Sequence, residues 1–245
     1  MSDFFRFPHT PHLAWLGEGT PRDDKVLSRK EAVAWLSSPV RVEEKVDGAN
    51  LGLSLGPDGR LRAQNRGQYL EHPHGGQFSR LPAWLAMHET ALVSALGGGL
   101  MLFGEWCAAR HSVVYESLPD WFLAFDVYDR ALGKFWGADR RDDFCEQLGL
   151  RSVPTIFKGE ISFHDLVDLV ETQHSDFGDA ALEGVVLRLD EDGFLKDRAK
   201  LVRPSFTQAI VDHWRRRAIV WNRLGTGDSY SERETGPLFG EVGAR

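Results

Sequence analysis

Apolar and polar residues alternate through Val40, Val42 and Lys45, and again through Leu51, Leu53 and Leu55, two period-two runs that predict strands. Asp47-Gly48 falls between them as a turn. Gly56-Pro57-Asp58-Gly59 turns the chain again, so residues 40–66 read as a hairpin unit. Ser28-Arg29-Lys30-Glu31 is a capping box that opens a helix through about Trp35. A helix is expected over 81–96, stopped by Gly97-Gly98-Gly99. Strands follow over 100–107 and 121–128. A helix over 139–148 ends at Gly149, where glycine relieves the left-handed cap. Residues 153–157 read as a strand, and Ser162 with Asp165 opens a helix through about Glu171. The last strand pair covers 183–189 and 194–202, turned by Asp190-Glu191-Asp192-Gly193. Residues 1–27 look irregular, with Pro8, Pro11 and Pro21. Ser205-Phe206-Thr207-Gln208 caps one more helix, whose apolar stripe is Phe206, Ile210, Trp214, Ala218 and Trp221. Beyond Gly225 the polar tail has little to bury and is expected to be mobile.

Strands outnumber helices and come in pairs joined by short turns. The fold class is therefore α+β, with largely antiparallel sheets flanked by helices rather than a doubly wound sheet. Residues 1–204 are expected to form one domain, with 205–245 as a C-terminal helix and tail. Composition adds little: 42% apolar and 27% charged residues suit a globular chain. No apolar run approaches the roughly 20 residues that span a bilayer, and Met1-Ser2-Asp3-Phe4-Phe5-Arg6 lacks the basic start and apolar stretch of a signal peptide. Cys107 and Cys145 form no metal or redox motif and read as reduced thiols, which points to a cytoplasmic protein with no membrane partner. The net charge of −7 argues against a protein that coats nucleic acid nonspecifically. It leaves room for an enzyme with a local basic track, and Arg60/Arg62/Arg66, Arg198/Lys200/Arg203 and Arg215-Arg216-Arg217 are three candidate clusters.

Lys45 stands at the end of its strand-like run, which holds an amine on rigid backbone where a reactive group is most useful. Alone, Lys-x-Asp-Gly is weak. Five segments in order are specific: Lys45-Val46-Asp47-Gly48, Asn65-Arg66-Gly67, Phe103-Gly104-Glu105-Trp106, Phe125-Asp126, and Glu183-Gly184-Val185-Val186-Leu187-Arg188 with Lys200 shortly after. In this order they resemble the covalent nucleotidyltransferase superfamily of ATP-dependent RNA ligases, DNA ligases and mRNA capping enzymes. The opening Phe7-Pro8-His9-Thr10-Pro11-His12-Leu13 and the pattern Glu44-Lys45-x-Asp47-Gly48-x-Asn50 look most like the RNA ligase branch, and the resemblance covers roughly residues 7–206.

The resemblance implies an adenylyltransferase (ATP-grasp-like) domain and a three-step reaction. A lysine attacks the α-phosphorus of ATP to give lysyl-AMP and pyrophosphate. AMP then passes to a 5′-phosphate end, and a 3′-hydroxyl attacks that end and expels AMP. Lys45 would be the nucleophile. An ordinary lysine is neutral in only about one molecule in a thousand at pH 7.4, so its charged form must be disfavoured. Lys200 would contact the α-phosphate, stabilise the transition state and depress the Lys45 pKa by like-charge repulsion.

The other roles follow the same resemblance. Glu44 would lie beside the adenine. Asp47 would join Lys45 and Lys200 in the catalytic set or simply form the turn with Gly48, where the missing side chain lets the nucleotide approach. Asn50 would reach phosphate or metal-bound water, and Arg66 the ribose and the 5′-phosphate. Glu105 would take the ribose hydroxyls, and a carboxylate in so apolar a strand needs a partner in any case. Phe125 would stack on adenine, with Phe122 as the rival for that role. Glu183, with Glu105, would hold Mg²⁺ or Mn²⁺.

The chain departs from the family at its last segment, where Lys-x-Lys is usual and Lys200-Leu201-Val202-Arg203 stands. Val202 carries no charge, and Arg203 supplies the second cation only if a bulge turns it inward. Substrate ends would be engaged by Arg66, Arg203 and Arg215–Arg217. The partners implied are RNA or DNA ends, with an end-healing or RNA-binding protein adding affinity. About 40 residues follow Arg203, too few for the extra barrel domain of many DNA ligases and capping enzymes. The expectation is an ATP-dependent RNA ligase. The alternatives are a DNA nick ligase of the same mechanism and a nonenzymatic module with a decayed nucleotide pocket.

Overall fold

The computed structural model describes residues 4–19, 21, 25–209 and 218–225. Its strands are β1 (Val40–Glu44), β2 (Ala49–Leu55), β3 (Leu61–Gln64), β4 (Leu100–Trp106), β5 (Phe122–Asp129), β6 (Lys134–Phe135), β7 (Arg151–Ser152), β8 (Thr155–Gly159), β9 (Gly184–Glu191) and β10 (Phe194–Val202). The helices are α1 (Arg29–Leu36), α2 (Leu81–Ala95), α3 (Ala138–Gln147), α4 (Phe163–Thr172) and α5 (Pro204–Ala209). One sheet runs β10-β9-β1-β8; the other runs β3-β2-β4-β5-β6, with β7 also on β5. Every strand pairing is antiparallel except β5 with β7.

Local sequence chemistry set most of these ends. Ser28 accepts the Glu31 amide while the Glu31 carboxylate accepts the Ser28 amide, so the box at α1 is complete. Ser162 accepts the Asp165 amide at the start of α4. Gly149, at φ 67°, follows the end of α3. The Asp192-Gly193 pair, both at positive φ, turns β9 into β10.

Two expectations fail. β1 and β2 do not pair, and the hairpin is β2–β3 alone. The turn at 45–48 instead carries the chain from one sheet to the other. Alternation specifies a strand but not its partner, and an Asp-Gly pair serves a crossover as well as a hairpin. The C-terminal helical stripe also fails at its far end: Ala218 and Trp221 are not helical, and Trp221 forms an isolated bridge with Ala109. Ile210, Trp214, Arg215–Arg217 and the tail beyond Gly225 lie outside the described residues.

The six-stranded sheet packs one face on α2 and α3, through Leu51, Leu53, Trp84, Trp106, Phe122 and Cys145 among others. The four-stranded sheet packs on α1 and α4, through Val42, Trp35, Leu166, Val185 and Leu201. Their remaining faces meet across a shared cavity. A chain of buried charges ties the sheets there. Arg141 donates to Glu43 on β1 (2.7 Å) and to the Phe125 carbonyl (2.7 Å). Arg188 on β9 pairs with Asp126 on β5 (2.8 Å), and Arg198 on β10 pairs with the second oxygen of Asp126. Each charge is compensated, as burial requires.

Candidate active site

The cavity between the sheets has a volume of about 530 Å³, within the range of small-molecule sites. Strand periodicity explains who reaches it. In the β9–β10 register Arg188 faces Arg198 and Val186 faces Lys200, so all four share one face and line the cavity. Across β2–β4, Asn50 is directly opposite Glu105, and both line it.

β5 uses a different device. Its register against β4 slips at Phe103/Gly104: Gly104 pairs with Ala124 and Phe103 with Asp126, which leaves Phe125 as an extra residue. This bulge lets two consecutive side chains, Phe125 and Asp126, border the cavity. Phe122 is excluded from the stacking role. It lies before the bulge on the opposite face, fully buried against Trp84 at 5.3 Å.

Lys45 is held at the centre. Its Nζ lies 2.6 Å from both carboxylate oxygens of Glu183. Burial works to lower its pKa, but Glu183, Asp47 and Glu105 together outweigh it and the net shift is upward. The sequence-based expectation that Lys200 depresses the Lys45 pKa is thus corrected for the ligand-free chain. Burial raises the Glu183 pKa above the usual carboxylate range, with Lys45 and, more weakly, Lys200 pulling it back down.

Glu105 is pushed up to about 8, first by burial and then by Asp47 and Glu183, against the pull of Lys45 and Arg66. It accepts the Gly48 amide at 3.1 Å. A Cβ on Gly48 would stand 2.6 Å from the Trp106 carbonyl oxygen, so that backbone approach requires glycine. Asp47 turns away from the cavity centre. Its carboxylate accepts the amides of Ser112 (2.6 Å) and Val113 (2.9 Å), and its own amide donates to the Tyr115 hydroxyl (2.7 Å). It acts as the anchor of the turn.

Glu44 borders the cavity, but its carboxylate points to Ser175 Oγ (2.6 Å) and the Asp176 amide (3.0 Å). Burial raises its pKa to about 7. Arg66 is exposed at the rim. Lys200 lines the cavity on β10, with its backbone paired to Pro11 and Leu13 of the N-terminal segment.

Arg203 does not reach the cavity. No bulge lies near it, since the β10 slip is at Leu195/Asp197, and its guanidinium donates to the Glu171 carbonyl in the last turn of α4. A cation at the negative end of a helix is well placed electrostatically, which removes it as the second cation. Arg198, two residues before Lys200 on β10, does line the cavity, stacked at 4.4 Å on Phe7 and 4.6 Å on Phe135.

Sequence reasoning gave no site role to Glu43, Arg141, Arg188 or His111. For Arg188 the signal was present as a charge inside the otherwise apolar start of β9; Glu43 and Arg141 stand among other charged residues. His111, in the loop after β4, carried none; it bonds Gln77 (2.8 Å) and faces Asp47 at 3.9 Å.

The donor set suits a hard divalent cation. Glu105 and Glu183 offer carboxylate oxygens. Asn50 Oδ1 is a buried oxygen on the same wall with no hydrogen-bond partner in the structure. Among the described residues no three His, Cys, Asp or Glu side chains cluster to form a cage. Carboxylate and amide oxygens are the ligand types that Mg²⁺ and Mn²⁺ take.

The family model described as RNA ligase matches residues 38–202. Among solved structures, a mutant Naegleria gruberi RNA ligase with ATP and Mn superposes with a TM-score of 0.63 at 15% identity, covering 85% of this chain and 59% of that one. The same enzyme with PPi gives 0.62 at 16% identity, covering 87% and 60%, and another mutant with AMP and Mn gives 0.60 at 14% identity, covering 85% and 59%. At these identities the likeness establishes a shared fold, and this chain spans about three-fifths of the length of those proteins. No curated protein matches it in sequence. With the family match running from β1 through β10 and across every motif of the cavity, the chain belongs to the RNA ligase family.

Proposed function

We propose that this chain is an ATP-dependent RNA ligase that seals 5′-phosphate to 3′-hydroxyl ends through a lysyl-AMP intermediate on Lys45. One observation carries the reading: a lysine amine sits in a nucleotide-sized cavity, bonded to Glu183 and ringed by Glu105 and Lys200.

In the first step the neutral Lys45 Nζ attacks the α-phosphorus of ATP. The N–P bond forms, the bond to the bridging oxygen breaks, and pyrophosphate leaves with that electron pair. Glu183 and Glu105, with Asn50, would hold the divalent cation, whose charge neutralises the phosphates. Before attack the Lys45–Glu183 pair must open, and the ammonium gives its proton to solvent so that Nζ carries a free electron pair. Lys200 stabilises charge on the α-phosphate oxygens. Phe125 and Phe7 offer the base an aromatic wall. Arg66, at the open rim, meets the 5′-phosphate of the incoming strand. RNA ends are the substrate of this reading, and the cytoplasm its compartment.

Incubation with α-labelled ATP and Mg²⁺ or Mn²⁺ tests it. Label is expected on the wild type and absent from Lys45→Ala. Label that survives this substitution removes Lys45 as nucleophile, and preference for GTP redirects the reading to a capping-type enzyme. Nicks with RNA or DNA on the 3′-hydroxyl side then separate RNA from DNA sealing.

A further inference from the structure

Residues 218–225 lie beyond the family-matched segment, yet they are stitched into the loop between β4 and β5. The Arg110 amide donates to the Val220 carbonyl (2.8 Å), and the Leu118 amide to the Arg223 carbonyl (2.9 Å). The Gly225 amide returns to the Leu118 carbonyl (2.8 Å). Asn222 is the centre of this clasp. It is 4% exposed. Its Nδ2 donates to the Cys107 carbonyl (2.9 Å), its Oδ1 accepts the Tyr115 amide (3.1 Å), and its own amide donates to the Ala108 carbonyl (2.9 Å). One side chain thus pins both ends of the span 107–115.

That span is what holds the nucleophile turn. Between its pinned ends it presents the Ser112 and Val113 amides to the Asp47 carboxylate, and Tyr115 at its end accepts the Asp47 amide. Val46 packs in the same apolar cluster as Cys107, Val113 and Tyr115. From Asn222 to the Tyr115 amide, and from the Tyr115 hydroxyl to the Asp47 amide, the contacts form a connected series, and Lys45 is two residues from its end.

We propose that Asn222 is a positioning residue for Lys45, acting through Tyr115 and the 107–115 span. The C-terminal segment would then be part of the catalytic machinery rather than an appendage. The proposal deepens the ligase reading and rests on it for its kinetic arm alone. Small misplacements of a nucleophile cost large factors in rate, and the substituted residue touches neither ATP nor metal. Asn222→Ala is therefore expected to slow lysyl-AMP formation about tenfold or more at saturating ATP, with the KM for ATP within about twofold of wild type.

Tyr115→Phe removes the acceptor of the Asp47 amide. Because the two changes break one series of bonds, the double variant is expected to be no slower than the slower single one. Rates that multiply overturn the route through Tyr115, as does an Asn222→Ala enzyme at wild-type rate. Hydrogen exchange on the ligand-free chain gives a readout independent of activity. The Asp47, Ser112 and Val113 amides are expected to lose protection in Asn222→Ala while α2 and β9 keep theirs. Unchanged exchange at those three amides sinks the proposal even if no labelling occurs, whereas an unlabelled wild type with the expected exchange pattern condemns only the ligase reading. If Asn222→Ala does not fold, Asn222→Ser, which keeps one polar atom in place, is measured in the same way with the same expected direction.

Discussion

Glu44 makes a quantitative test of the burial described above. The residue is 3% exposed and its pKa is raised from 4.5 to about 7, chiefly by burial, with Ser175 and the Asp176 amide recovering part of the loss. The folded chain keeps this proton up to about pH 7, whereas the unfolded chain releases it near 4.5. Between those values the folded state binds more protons, so the contribution of Glu44 to stability falls as pH rises. A shift of this size corresponds to about 3 kcal/mol, at 1.36 kcal/mol per unit.

Glu44→Gln removes the titration and keeps the shape. Its amide oxygen accepts from Asp176 and its NH₂ donates to Ser175 Oγ. Urea unfolding of both proteins at half-unit steps from pH 4.5 to 8 supplies the comparison, with equal m-values required. The stability of the variant minus that of the wild type is expected to climb by about 3 kcal/mol from pH 4.5 to 7 and to level off above. Other groups, Glu105 among them, bend both curves alike and cancel. A difference that stays flat across this range refutes the assignment of a buried, proton-retaining Glu44.

Further tests follow from single contacts. Glu183→Gln removes the anion nearest Lys45, so the Lys45 pKa in the ligand-free chain is expected to fall; competitive acetylation followed by mass spectrometry against pH reads this directly, and an unmoved titration contradicts the ion pair. Gly48→Ala forces a Cβ to 2.6 Å from the Trp106 carbonyl and is expected to destabilise by about 1–3 kcal/mol in urea. Arg198→Ala leaves Asp126 short of one of its two arginines in a buried site, with an expected loss of about 3 kcal/mol. Lys200→Ala is expected to slow label transfer about 100-fold or more, while Arg203→Ala, directed at α4, leaves it unchanged; equal losses from both would return Arg203 to the cavity.

Regular elements were legible wherever a local rule sets them. Capping side chains, glycines at positive φ and period-two alternation each act over a few residues, and they placed α1 to α4 and nearly every long strand. The ordered motifs brought Lys45, Glu105, Phe125 and Lys200 to one cavity, with Glu183 bonded to Lys45. Long-range choices were not legible. Nothing in Val46-Asp47-Gly48 tells the chain to cross between sheets. Trp221, which the apolar spacing put on a helix, lies instead in a non-helical segment bonded along the 107–118 loop. Arg203 was misplaced because strand periodicity stops being a guide once the strand ends at Val202, and a nearby helix end takes the side chain. Asn222 was invisible, since a single buried amide has no periodicity and no motif.

The extra residue in β5 has a consequence for how this pocket is built. Phe122 and Ala124 before it, and Val127 after it, all lie in the core against α2 and α3, so parity along the strand reverses across position 125. A strand shortened by that one residue would keep every other side chain on its present side and pair with β4 without a gap. The sheet therefore has no need of Phe125. What its presence contributes is a ring for the cavity and a main-chain oxygen, freed from the ladder, on which Arg141 and Arg188 converge. A one-residue insertion suffices to furnish a plain strand with both.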